Sequence, residues 1–205
     1  SRDAHAKYSW SQPGFDHRCG SGRTNAGVAV EWIRDGKIPP EVNIVEPLWF
    51  ENLYKDRIKG PVEIQGTISA KRATSYDYVV EWGPGVQPLD AEFKKIPGAE
   101  GTNIDGKVVT GASAPLAQLD LSTIDPKHER DKDSQKGEND NAITVRIRVK
   151  AHYPDLPDAV PGEYRRTYYV WTDPELLPGF PMTLRASLAS SPKLVDDDGD
   201  GKRDV

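Results

Sequence analysis

The stretch ITVRIRVKA alternates without a break. Ile143, Val145, Ile147 and Val149 fall on one side of an extended chain, and Thr144, Arg146, Arg148 and Lys150 on the other. A period of two fits a pleated strand and no helix, because successive side chains of a strand point to opposite faces. A strand with one apolar face needs a second layer to cover it. The same period recurs along the chain. PVEIQGTIS sets Val62, Ile64, Gly66 and Ile68 against Glu63, Gln65 and Thr67. SYDYVVEWGPG gathers Tyr76, Tyr78, Val80 and Trp82 on one face and breaks at Gly83-Pro84-Gly85. LAQLDL aligns Ala117, Leu119 and Leu121, and EYRRTYYVWT supplies a last strand. About seven such segments with turn signals between them predict a mainly β chain, an antiparallel sandwich with one solvated side to each sheet.

Composition agrees with strands and loops. Gly and Pro make up 35 of the 205 residues, and the apolar fraction is 36%. The single cysteine, Cys19, rules out an intramolecular disulfide and a cysteine zinc cluster. The net charge of −5 and the lack of a basic run predict no nucleic acid partner. No apolar run approaches the ~20 residues of a membrane span. One short helix is expected in GRTNAGVAVEWIRDGKIPP: Thr24 or Asn25 can cap it, Val28, Trp32 and Ile33 have helical spacing, and Gly36 with Pro39-Pro40 ends it. Residues 1–22 are polar and irregular, and 125–141 form a run of mixed charge that reads as a solvated loop. The sequence begins at Ser1 with no methionine and no signal peptide, which suggests a piece of a longer protein.

The last residues change character. In DDDGDGKRD, Asp196, Asp198 and Asp200 occupy positions one, three and five of a loop. Gly201 stands at six, Lys202 can offer its carbonyl at seven, and Asp204 lies at nine. Calcium takes oxygens from a tight loop of this spacing. A bidentate carboxylate at position twelve would fall at residue 207, so the loop is expected to be completed by sequence downstream.

No catalytic constellation emerges from the residues. Asp16, His17 and Ser21 are too close in sequence to align as a triad, whose members come from separated segments. Cys19 shows no sign of a depressed thiol pKa, and TGASAP lacks the Gly-x-Ser-x-Gly frame. His128 and His152 have no partner at metal-ligand spacing. The aromatic residues Trp49-Phe50, Trp82, Tyr168-Tyr169 and Trp171 could stack sugar rings or hold an extended peptide, although a sandwich core is the commoner place for them.

The order of these pieces resembles the C-terminal part of secreted bacterial subtilisin-like serine peptidases (subtilases). PGFDHRCGSGRTNAGVAVEWIRDGKIPP is similar to the segment that comes after the catalytic serine helix. Gly20, Gly22, Arg23 and Asn25 match its glycine-rich step, whereas Ser21 departs from the usual aromatic residue. Gly60, Val62, Ile64, Gly66 and Thr67 match a strand phrase of the immunoglobulin- or fibronectin-like sandwich found in long members. Asp196, Asp198, Asp200 and Asp204 fall on the opening of an FG-GAP repeat, a calcium-binding propeller blade. The family's Asp-Ser/Thr-Gly, His-Gly-Thr-His and Gly-Thr-Ser-Met-Ala segments are absent, so no triad residue can be assigned here.

The resemblance implies three regions: the end of a catalytic domain over 1–40, an accessory sandwich over 41–173, and a linker with the start of the repeat over 174–205. It implies a non-catalytic portion of a secreted, extracellular protease. Its partners would be the catalytic domain, a downstream propeller and a protein or peptide substrate. Calcium would be held by Asp196, Asp198, Asp200, Lys202 and Asp204. The alternative is a secreted calcium-dependent sandwich for binding or adhesion. Trp49, Trp82 and Trp171 exposed in a row would favour that alternative, and their burial would count against it.

Overall fold

A computed structural model describes residues 25–124, 141–175, 177 and 179. The chain divides into two compact units, Ser1–Thr172 and Asp173–Val205. In the second unit the described residues form a turn in which the Asp173 carboxylate accepts from the Glu175 N–H. In the first, helix α1 spans Ala26–Arg34. Asn25 caps it, its side chain accepting from the Val28 N–H at 3.1 Å, which satisfies one of the amides that a helix start leaves without a partner. Gly36, with φ of 74°, stands just past the helix end, as the sequence predicts.

Nine strands come next among the described residues: β1 (Glu41–Glu46), β2 (Asn52–Tyr54), β3 (Val62–Ser69), β4 (Ser75–Pro84), β5 (Lys94–Asp105), β6 (Val109–Thr110), β7 (Ala117–Leu119), β8 (Ala142–His152) and β9 (Val160–Trp171). They form two sheets, as a β-sandwich does. The smaller has the order β1-β3-β6, with β7 beside the other half of β3. The larger runs β2-β9-β8-β4-β5. Pairing is antiparallel throughout the described strands except that β2 runs parallel to the end of β9. In the first unit the chain is thus mainly β, with one short helix.

The alternations in the sequence point where they should. Val62, Ile64 and Ile68 of β3 face Val80 of β4 and Ile143, Val145, Ile147 and Val149 of β8 in one buried core. Each such side chain contributes about 1.5–3 kcal/mol when fully buried. Tyr76 joins them with no exposed surface, and its hydroxyl reaches Thr110 Oγ1 at 2.6 Å and the Val108 carbonyl at 3.1 Å. Gly66 holds its place in the apolar row for a different reason. The β1–β3 register shifts between Ile44 and Glu46, and a Cβ on Gly66 would sit 2.2 Å from the Asn43 carbonyl oxygen. Only a residue without a side chain admits that approach.

The expectation that the other face of β8 is solvated fails at Thr144 and Arg146, which are 1% and 2% exposed. The connection from β4 to β5 folds back as a strap across that face. Thr144 donates to the carbonyls of Gly85 (2.7 Å) and Val86 (3.0 Å). Pro88 and Phe93 press onto Gly83, where a Cβ would lie within 2.8 Å of Pro88. Beneath the strap, Arg146 donates from Nε to Glu81 (3.0 Å) and from Nη1 to Asp90. Its guanidinium lies 3.6 Å from the centre of the Phe93 ring. Arg148 donates to the same Glu81 carboxylate from Nε at 2.9 Å and Nη2 at 2.7 Å. Glu81 is 4% exposed, so this carboxylate and Arg146 form a buried pair, whereas Asp90 is largely in solvent and adds little.

Removing one partner strands the other charge. Glu81→Gln is expected to lower stability by about 3–5 kcal/mol in urea unfolding, and the double variant Glu81→Met, Arg146→Leu to recover most of that loss. A loss under about 1 kcal/mol for Glu81→Gln would show that the pair is dispensable.

Candidate functional site

The face of the larger sheet turned away from the core carries the features that could bind a ligand. Strand alternation and the β8–β9 register place Pro161, Glu163, Arg165 and Thr167 of β9 along it, opposite Lys150, Arg148, Arg146 and Thr144. The strap covers the Thr144–Thr167 end, where the two hydroxyls lie 3.0 Å apart. The other end is open.

There a groove of about 390 Å³ crosses β5, β4, β8 and β9. Val79 and the backbone at Gly101 and Gly162 are among its lining. Lys95, Arg148, Lys150, Asp77 and Glu163 stand around it. Most of these charges are already engaged. Arg148 is fixed by Glu81, and that pairing holds its guanidinium above the usual arginine range. Glu163 accepts from Arg165 Nε at 2.6 Å, and Lys95 lies 2.6 Å from Glu100. Asp77 accepts from the Asn103 N–H at 2.7 Å and lies 3.0 Å from His152 Nε2. The Asn103 bond and then the His152 bond hold its carboxyl below the usual aspartate range.

A second feature lies at the end of β9, where β2 pairs with it. The centroids of Trp49 and Phe50 are 5.8 Å apart, those of Phe50 and Tyr169 5.9 Å, and those of Tyr169 and Trp171 6.3 Å. Trp49, Phe50 and Trp171 are 46%, 47% and 37% exposed. The Trp171 indole donates to Asn52 Oδ1 at 2.8 Å, which fixes its ring. Arg166 donates to the carbonyls of Val45 and Pro47 and lies near the rings of Trp49 and Tyr164. The sequence reading of these aromatics as core is therefore corrected for Trp49, Phe50 and Trp171. It holds for Tyr168, which is wholly buried and whose phenol burial pushes above its ordinary range. Trp82 packs partly against the core, with the Lys94 ammonium 5.6 Å from its ring.

Of the residues weighed for catalysis, His152 lies at the end of β8 beside Asp77, and Ser113 is exposed in the loop between β6 and β7. Asp16, His17, Cys19, Ser21 and His128 lie outside the described residues, as do Asp196, Asp198, Asp200, Lys202 and Asp204 of the calcium reading. Among the described residues no three His, Cys, Asp or Glu side chains gather as a metal site. No helix there is long and apolar enough to cross a membrane. Sequence reasoning missed the groove, because its lining comes from four strands and only their register brings them together. The chain matches no protein-family model, and neither the curated proteins nor the solved structures contain a match to it.

Because the Asp77 carboxylate is favoured in the folded state, its contribution is full above the unfolded aspartate pKa. It is lost as pH falls through the lower folded value. Thermal unfolding should find Asp77→Asn less stable than the parent chain at pH 7, with the gap closing toward pH 2. A gap that stays constant with pH would assign the effect to packing and not to charge.

Proposed function

We propose that this chain is the non-catalytic C-terminal portion of an extracellular subtilisin-like serine protease. In this reading its sandwich extends the catalytic domain and helps to position a protein substrate. Helix α1 carries the reading. None of its residues is buried, and Val30 and Ile33, one turn apart, are each 65% exposed, with Trp32 at 40%. An amphipathic surface helix normally turns its apolar residues onto a core. A helix that leaves them in solvent beside a complete sandwich suits the closing helix of a neighbouring domain, which is where the resemblance puts residues 1–40. Peptide-bond hydrolysis would belong to a triad outside this sequence. Calcium would be held by the loop from Asp196 to Asp204, completed by a carboxylate downstream of it.

Labelling of the source's secreted proteins with a fluorophosphonate probe, coupled to peptide mapping, tests the reading. Peptides from Val62–Trp171 should occur in a labelled polypeptide or in one that co-purifies with it. Their recovery only from species with no labelled companion would overturn it.

The aromatic row favours a second reading, a secreted binding module whose Trp49, Phe50, Tyr169 and Trp171 stack on a glycan. On immobilised polysaccharides the parent chain should then be retained, and the Trp49→Ala, Trp171→Ala double variant should elute several-fold earlier. Equal elution of the two would remove this reading.

A further inference from the structure

The connection from helix α1 to β1, residues 35–40, leaves no backbone N–H without a partner. The helix ends in a Schellman turn: the Gly36 N–H donates to the Ile33 carbonyl at 3.1 Å and the Lys37 N–H to the Trp32 carbonyl at 2.8 Å. Asp35 donates to the Glu31 carbonyl at 2.9 Å and Ile38 to the Gly36 carbonyl at 3.0 Å. The remaining residues, Pro39 and Pro40, have no N–H, and their rings fix φ. Each also restricts the residue before it to extended backbone. The far end is seated on the sandwich. Just past β8, the Tyr153 hydroxyl donates to the Ile38 carbonyl, and the Tyr153 ring packs against the core. Pro40 is buried against β9, where a Cβ on Gly162 would lie 2.5 Å from its ring. β1 then begins at Glu41, which pairs with Ser69 of β3.

Flexible linkers are rich in Gly and Ser and free of such bonds, and domains joined by them move relative to one another. Residues 35–40 have the opposite construction. We propose that they form a rigid strut that holds helix α1, and the domain to which the helix belongs, at one fixed orientation to the sandwich. The strut aims Val30 and Ile33, the exposed apolar pair of α1, in a set direction. The partner that fits is a protein domain with an apolar seat for one helix face. The inference rests on the reading of α1 as the closing helix of a catalytic domain. A module that positions a substrate for an active site on another domain must keep its distance and angle to that site. Misplacement by about 1 Å is enough to cost roughly 100-fold in rate.

The test is the measurement of residual dipolar couplings and ¹⁵N relaxation on the whole 205-residue chain. Couplings from α1 and from the strands of both sheets should fit a single alignment tensor. Order parameters at Asp35, Gly36, Lys37 and Ile38 should be about 0.85, the value of rigid backbone. In the Tyr153→Phe, Pro39→Gly double variant the α1 couplings should shrink about two-fold or more relative to those of β3 and β8, and the order parameters of the connection should drop below about 0.6. Gly162→Ala, which pushes Pro40 off its seat from the sandwich side, should free α1 in the same way. The inference is overturned if α1 shows coil chemical shifts or needs its own weaker tensor in the parent chain, or if both variants leave the single tensor intact. A free helix would leave the protease reading to its labelling experiment, and a rigid one would stand whatever that labelling finds, so the two fail separately.

Discussion

A guanidinium and a carboxylate buried together on the outer face of a sheet are costly to desolvate, and much of this molecule depends on keeping that pair satisfied. Arg146 and Glu81 face each other across β8 and β4, 2% and 4% exposed. Ions so far from water persist only when their hydrogen bonds are made within the protein. The strap between β4 and β5 provides the cover. Asp90 and the Phe93 ring close over the guanidinium, and Thr144 ties Gly85 and Val86 down to β8. The strap can lie this close because Gly83 presents no side chain beneath Pro88. Arg148 completes the carboxylate's shell from the exposed side.

That arrangement divides the outer face. Past the ionic centre toward His152, nothing among the described residues covers Val79, and the groove remains between Lys150, Arg148 and Glu163. Toward the end of β9, Tyr169 and Trp171 continue the strand beyond the strap and meet Phe50. The rigidity of the groove's walls is therefore a by-product of the network that holds the strap: Glu81 orients Arg148, and Arg165 orients Glu163. Two surfaces of different chemistry, one lined by charges of both signs and one aromatic, share a single sheet.

Helix α1 rests on a different set of contacts. Its Asn25 cap and the glycine at its end are encoded locally, and it forms where the sequence places it. Its exposed Val30 and Ile33 find no cover in the sandwich, whose core closes between its own two sheets. A short helix of this length is marginal in water by itself. A covering surface from elsewhere in a larger assembly would supply what propensity does not.

How much of this was legible in the sequence differs from place to place. β3 and β8 could be read because burying one face imposes a period of two, and the inward residues of both strands lie where the alternation puts them. The helix limits were legible because caps are local chemistry. Thr144 and Arg146 were misread because alternation reports which side of a strand faces the core and is silent on whether a loop covers the other side. Exposure of Trp49 and Trp171 could not be read either, since an aromatic residue serves core and surface equally well until the strand edge around it is known. The sequence by itself determined the β class, the strand faces and the capped helix, because each depends on neighbours a few residues away. The tertiary structure alone decided the buried pair, the strap and the groove. Glu81 and Arg146, or Val79 and Lys150, are far apart in the chain, and only the register of β4 against β8 makes them neighbours.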